Sequence, residues 1–404
     1  MKLVEQTIIK DTDPRFKLID EACFASKNLY NFTLYYIRQL FFAGKKVPSY
    51  AKIAKKLKNT EPFKALPAKV AQWVVRQVCN DWWNFWKAHR AYKKNPAKFT
   101  GKPALPHYKD KTTGRNLLVY TTQALSKPAL QEGVIQPSML AVVFQTQQKH
   151  IQQVRFIPKR THIVMEVVYE TQPVKAKGLK ANKIAAIDLG VDTLAAVTSN
   201  VRDLDPLLIN GRPLKAINAY YNKRKATLQS QLAKGQYHSH RLDRLTDKRN
   251  RRVKAYLHWA SRRVIDWCVA NHLGVLVIGL NRQWKQNVEL GKESNQKFVS
   301  IPHSTFVDML KYKAELVGVK VIVREESYSS KCSFLDLEPV RKHKTYLGRR
   351  VKRGEFVSAN GTHINADVNG SLNIMRKAIP TAFGKRGIKG IVVCPVRVSP
   401  VQKL

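Results

Sequence analysis

Lys183-Ile-Ala-Ala-Ile-Asp-Leu-Gly-Val-Asp-Thr-Leu-Ala-Ala-Val-Thr198 decides how this chain folds. Its apolar runs on either side of Leu189-Gly190 fit two β-strands joined by a tight turn. Asp188 closes the first strand. Cleavage of a phosphodiester through two divalent ions needs a few carboxylates converging from separate elements, and an acid at the end of a buried strand suits that role. Taken singly, Asp188 is equally an ordinary turn residue, since Asp bonds its own backbone in turns.

Downstream, residues 214–271 read as a long basic helical region with a bend near Gly235-Gln236. Two apolar strands follow at 274–280 and 318–323, separated by a loop and a helix over 304–316. Glu325 and Glu326 stand at the end of the second, beside Arg324. A basic insertion comes next, with Lys342, Lys344, Arg349, Arg350, Lys352 and Arg353, then a hairpin marked by Asn360-Gly361 and a helix over about 368–378. Asp367 sits just before that helix, where an Asp most often caps free backbone N–H groups.

Upstream, the alternating run 2–9 ends at Asp11-Thr12-Asp13-Pro14 and predicts an opening strand. Apolar residues at helical spacing between Arg15 and Arg90 predict amphipathic helices. Their aromatics Tyr30, Trp73, Trp82, Trp83 and Trp86 suit either a packed core or base stacking. Short β-type runs recur over 117–170, which suits a small barrel around the helical insert.

Lys and Arg number 72 against 28 Asp and Glu, a net charge of +44. Such an excess repels itself unless a polyanion neutralises it, so DNA, RNA or both are expected. The longest apolar stretch, 273–280, is too short to span a bilayer, and no membrane partner is expected. Five scattered cysteines (Cys23, Cys79, Cys268, Cys332, Cys394) without a Cys-x-x-Cys pair or secretory leader suggest a reduced, cytoplasmic setting.

Two motifs resemble a known family. Ala186-Ile-Asp-Leu-Gly190 is similar to the first RuvC motif of the transposon-associated TnpB proteins, and Asn365-Ala-Asp-Val-Asn-Gly-Ser-Leu-Asn-Ile374 to the third. Leu29-Tyr-Asn31, Gly101-Lys-Pro-Ala-Leu-Pro106 and the basic helices after the first motif also fit the family's layout. The resemblance implies an RNA-guided DNA endonuclease related to the type V CRISPR effectors. It would use Mg²⁺ in a two-metal RuvC site and cut double-stranded target DNA beside a short motif. A transposon-end guide RNA would be bound in a monomeric ribonucleoprotein. It also implies an RNase H-like α/β fold joined to an N-terminal β-barrel wedge domain with a helical insertion.

The chain departs from that family twice. The second motif normally carries a Glu, in an Ile-Glu-Asp-Leu-Asn type sequence, where this chain reads Val277-Ile-Gly-Leu-Asn281. Either the nuclease is inactive and the protein an RNA-guided DNA-binding repressor, or a neighbouring strand supplies the acid. Glu325 and Glu326 are the candidates, and alternation along a strand lets only one face the site; Glu326 is favoured. The metal set expected is thus Asp188, Asp367 and one of Glu325 or Glu326. Second, the family's four-cysteine zinc ribbon is reduced to Cys332, with His343 and His363 read as isolated, so no zinc is expected.

The expected organisation is a wedge barrel from 1–15 and 92–173 around a helical recognition insert, 16–91. A linker follows at 174–183. A split RuvC-like domain comes from 184–326 and 362–379, around a basic nucleic-acid-binding insertion, 327–361, and a tail spans 380–404.

Overall fold

The computed structural model describes residues 1–281, 301–384 and 387–400, which divide into two compact units, 1–171 and 172–404. No described helix is long and apolar enough to cross a membrane.

The first unit opens with β1 (Lys2–Lys10), followed by α1 (Phe16–Phe42), α2 (Tyr50–Leu57), α3 (Glu61–Lys64) and α4 (Ala68–Lys94). After β2 (Leu118–Thr121) come α5 (Lys127–Gln131), β3 (Val134–Ile135), β4 (Phe144–Gln145), β5 (Ile151–Pro158) and β6 (His162–Glu170). β1-β6-β5-β2 form an antiparallel sheet and β3 pairs with β4. One side of α1 and α4 is apolar at helical spacing, and Leu29, Leu34, Ile37, Val70, Val74 and Val78 join one buried core with Phe156 and Met165 of the sheet. Tyr30 is also buried, and its hydroxyl donates to Asp81 Oδ2 at 2.9 Å, so this aromatic is core.

The second unit starts with β7 (Lys180–Leu189), β8 (Thr193–Ser199), β9 (Leu207–Asn210), α6 (Arg212–Ser230) and α7 (His240–Ala270). β10 (Leu273–Gly279), α8 (His303–Val317) and β11 (Lys320–Arg324) follow. The expected linker 174–183 is shorter than the sequence suggests. β7 already begins at Lys180, and the Val174 and Ala176 amides donate to Leu316 and Val317 carbonyls, because the edge of the unit needs those backbone partners.

The insertion then gives β12 (Arg349–Lys352), β13 (Glu355–Val357) and β14 (His363–Asn365), an antiparallel sheet that runs directly into α9 (Ala366–Ala378). The stretch 380–404 is more than a tail: β15 (Val396–Val398) pairs parallel with β9 and extends the main sheet. Residues 385–386 and 401–404 of that stretch lie outside the described residues.

The main sheet has the order β11-β10-β7-β8-β9-β15. β7, β10 and β11 run parallel while β8 is antiparallel to β7 and β9, the order and directions of an RNase H-like α/β sheet. Both faces are covered, which is why β7 and β10 read as continuous apolar runs rather than alternations. Ala185, Ile187, Leu276 and Ile278 pack with residues of α7 and α8. Ile184, Ala186, Val275 and Val277 pack instead with Ile374 and Met375 of α9. Because side chains alternate, residues 188 on β7 and 279 on β10 belong to the α9 face.

Candidate nuclease site

Four neighbouring pieces of backbone converge at the C-terminal ends of β7, β10 and β11 and the N-terminus of α9. Asp188 and Gly279 share one row of the sheet, since Ile187 pairs with Ile278, and Gly279 in turn pairs with Arg324. Glu326 lies two residues beyond Arg324. β11 is therefore next but one to β7, about 10 Å away at the usual strand spacing, rather than its direct neighbour as the sequence suggests. A Glu326 carboxylate can approach Asp188 only by leaning across β10, and Gly279 is the residue in its path.

Gly279 has no side chain to block that path. A Cβ built on it would fall 2.7 Å from Glu326 Oε2 and 2.4 Å from Ile374 Cδ1. On α9, a Cβ on Gly370 would fall 2.6 Å from Asp188 Oδ2. Two glycines, on a strand end and a helix, thus let two carboxylates lie against bare backbone. Ser371 fastens the helix by donating to Ala186 O at 2.9 Å, with its hydroxyl also 2.9 Å from Thr198 Oγ1. Glu326 is fixed through its own backbone, its N–H donating to Asn281 Oδ1 at 3.1 Å.

Asp367 does not cap α9, the role its position suggested. Asn365 takes that role, its side-chain oxygen accepting from the Asp367 and Val368 amides at 3.0 and 3.2 Å. The Asp367 carboxylate is left in the first turn of the helix, close enough to Asp188 to act on its ionisation.

The electrostatics are those of crowded acids. Burial pushes the Asp188 carboxyl well above its usual range, repulsion from Glu326 and then Asp367 adds to the rise, and Arg350 of β12 and the Leu189 amide oppose it. Burial also raises Glu326 to about 7, assisted by Glu325 and opposed by Lys377. Glu326 Oε2 is buried with no hydrogen-bond partner. An orphaned buried carboxylate oxygen acting on Asp188, which Asp367 also approaches, suits hard divalent cations, which take oxygen ligands, although the oxygens of the three acids do not all lie within 4.8 Å of one another.

Glu325 is drawn elsewhere. Its carboxylate pairs with Lys377 Nζ at 2.5 Å and accepts from the Ser327 amide at 2.7 Å. Burial works to raise its pKa, but these partners outweigh it and lower it. The sequence missed Gly279, Gly370 and Asn365 as participants; a glycine closing an apolar strand was the available signal for close approach.

Among the described residues, the group of three possible ligands whose atoms all lie within 4.8 Å of one another is Cys332, Glu338 and His343. His343 is thus not isolated from Cys332, as it appeared in sequence, because the 332–343 loop folds back on itself. Glu338 is buried and accepts from the Ser333 and Leu347 amides at 2.7 and 3.1 Å. His343 Nε2 lies 2.7 Å from Pro339 O, which obliges it to donate. Three groups already engaged in this way do not fit a closed four-ligand zinc site. His363 pairs instead with Glu355, Nδ1 to Oε1 at 2.5 Å.

Two family models match the chain: OrfB_IS605, described as a probable transposase, over residues 162–285, and the Cas12f1-like TNB domain over residues 303–374. These intervals carry Asp188 and β10 in the first, and Glu326 and Asp367 in the second. Over these two intervals the chain is similar to those families. A curated relative, TnpB-like protein ORF457 of Acidianus two-tailed virus, is 28% identical over 254 residues, 60% of this chain. That match spans about half, 52%, of the relative's length. Solved structures similar to this chain include a Cas12f1–sgRNA–target DNA complex, at 12% identity, TM-score 0.40, covering 93% of this chain and 100% of that one. Another is the mini-RNA-guided endonuclease CRISPR-Cas_phi3, at 10% identity, TM-score 0.47, covering 98% and 94%. At such scores the fold assignment stands on the chain's own strand order.

Proposed function

We propose that this protein is an RNA-guided DNA endonuclease of the TnpB type, cutting target DNA beside a short adjacent motif through a RuvC site in which Asp188, Glu326 and Asp367 hold Mg²⁺. The observation that carries the reading is the Glu326 carboxylate lying over the bare backbone of Gly279 with an unpartnered oxygen. It supplies from β11 the acid that the second motif lacks. Glu325, the other candidate, would act only by keeping Lys377 off that carboxylate.

Divalent ions, when bound, lower the pKa of water and stabilise the leaving oxygen of an in-line displacement. The chain's part is to hold two of the three carboxylates, Asp188 and Glu326, against bare glycine backbone. Gly279 and Gly370 bring Glu326 and Asp188 close, Asn365 frees Asp367 from capping, and Ser371 fixes α9 on β7. Asp188 binds its proton tightly because it is buried and, secondarily, because neighbouring acids crowd it, so binding of cations there would release protons.

The net charge of +44 supports a guide RNA and a double-stranded target as partners, gripped through phosphates. In this reading a monomeric ribonucleoprotein uses the barrel-like wedge and helical insert of the first unit to read the adjacent motif. The 327–361 insertion would lie over the nucleic acid. The test is cleavage of a motif-bearing plasmid by the purified ribonucleoprotein in Mg²⁺, lost in Asp188→Ala and Glu326→Ala. Tight guided binding by the wild type without any cutting would refute the endonuclease and favour a nuclease-inactive repressor.

A further inference from the structure

The first unit contains a cavity of about 660 Å³ that the acid site does not use, within the ~300–1,000 Å³ range of small-ligand pockets. α4 supplies one wall through Trp82, Trp83, Trp86 and Arg90, the last three lying one, four and eight positions beyond Trp82 and so on one side of the helix. Phe41, near the end of α1, closes the floor. Its ring meets Trp82 and Trp86 edge-on, with centroids 5.3 and 5.9 Å apart. The floor is rigid: Trp82 is 4% exposed, and interlocked edge-to-face rings resist rotation.

Trp83 behaves differently. It is 54% exposed, with the Arg90 guanidinium 5.7 Å from its ring centre. Lys45 and Lys46, in the loop between α1 and α2, stand at the rim, and no carboxylate is among the lining residues. Flat aromatic walls with a cationic rim match the two halves of a nucleotide, a π-faced base and its phosphates. An acidic peptide would use the cations and leave the indoles uncovered, while an apolar segment would leave the cations unanswered.

We propose that this cavity takes an unstacked base of a single-stranded nucleic acid, with the base against Trp83 and the flanking phosphates on Lys45, Lys46 and Arg90. Nothing in this assignment depends on cleavage. It is tested with the full chain and four probes: short oligo(dT) and oligo(rU), each with a matching abasic oligomer that keeps the phosphates and lacks the bases.

The wild type should prefer base-bearing to abasic oligomers at elevated salt. Trp83→Ala should cut affinity for the base-bearing strand by about 5- to 150-fold, the usual worth of one stacked base. Abasic binding should not change, and Trp83→Phe should restore most of the loss. Replacing Lys45 and Lys46 with Ala should weaken both classes alike and flatten the salt dependence. Whichever of oligo(dT) or oligo(rU) depends more on Trp83 identifies the strand as DNA or RNA. The proposal is overturned if Trp83→Ala leaves both base-bearing strands bound as before, or weakens abasic and base-bearing oligomers equally.

Discussion

Gly279→Ala is the smallest change that challenges the acid site. The added Cβ would stand 2.7 Å from Glu326 Oε2 and 2.4 Å from Ile374 Cδ1, whereas ordinary contacts begin at 3.4 Å. The carboxylate must therefore retreat by about 0.7 Å, from 2.7 to 3.4 Å, and Ile374 must shift its terminal methyl in a packed core. A misplacement of about 1 Å in a reacting group can cost on the order of 10²-fold in rate. Overpacking typically costs about 1–3 kcal/mol in stability. We expect guided plasmid cleavage to fall by about 10- to 100-fold and the melting temperature to drop. The two effects separate in the Gly279→Ala, Ile374→Val double variant, which removes the 2.4 Å contact and leaves the carboxylate clash. Stability should recover, while cleavage and Mn²⁺ affinity, read by calorimetry, should stay low. Wild-type cleavage by the double variant would show that Glu326 does not need the space above Gly279, and the account of how the displaced acid reaches the site would fall.

Other outcomes follow from the same geometry. Asp188→Asn and Asp367→Asn should each reduce cleavage by at least about 10²-fold, as loss of a transition-state stabilising group does. Glu325→Gln should stay close to wild type because Lys377 is also held by its donation to Ser327 O at 3.0 Å and a pair whose carboxylate is 52% exposed contributes little; equal loss in Glu325→Gln and Glu326→Gln would refute the assignment.

Lys313 is buried between α7 and α8, donating to His258 O and Ser261 Oγ, both at 2.7 Å. Burial, then Arg262, depresses it from 10.5 to about 8. The unfolded chain binds more protons between those values, so stability should rise as pH climbs from about 8 towards 10.5, by about 2–3 kcal/mol at most. Denaturant titrations of Lys313→Met should lose that slope. Glu338→Gln should destabilise by about 1–3 kcal/mol, since its buried carboxylate satisfies the buried Ser333 amide and the part-buried Leu347 amide. With Mg²⁺ kept in excess, a zinc-selective chelator should leave the wild-type melt unmoved, and a drop absent from Cys332→Ser would point to a structural metal in that loop.

Much of the second unit was legible because local patterns and tertiary needs agree there. The 183–198 strands, the basic helical region and the Asn360-Gly361 turn all form, since buried parallel strands are apolar throughout and a positive-φ turn wants glycine, as at Gly361. The role of 380–404 was illegible: β15 is a short strand whose only signal is the β9 edge it pairs with. Trp82 and Trp83 illustrate the same limit, adjacent in sequence and alike in chemistry, yet one is buried and the other open.

Composition alone points to a polyanionic partner, through charge that no fold can hide, and the first and third acidic motifs are legible because their residues are contiguous. The sequence also narrowed the missing acid to two adjacent glutamates. The folded chain gives the two different surroundings. Strand order put β10 between β11 and β7, alternation placed Gly279 and Asp188 on the α9 face, and the absence of a Cβ at Gly279 left room for the Glu326 carboxylate while Lys377 held Glu325 away. That difference depends on which atoms occupy one small volume, and residues nearly 50 and 140 positions from Glu326 in the chain fix it only once the sheet has formed.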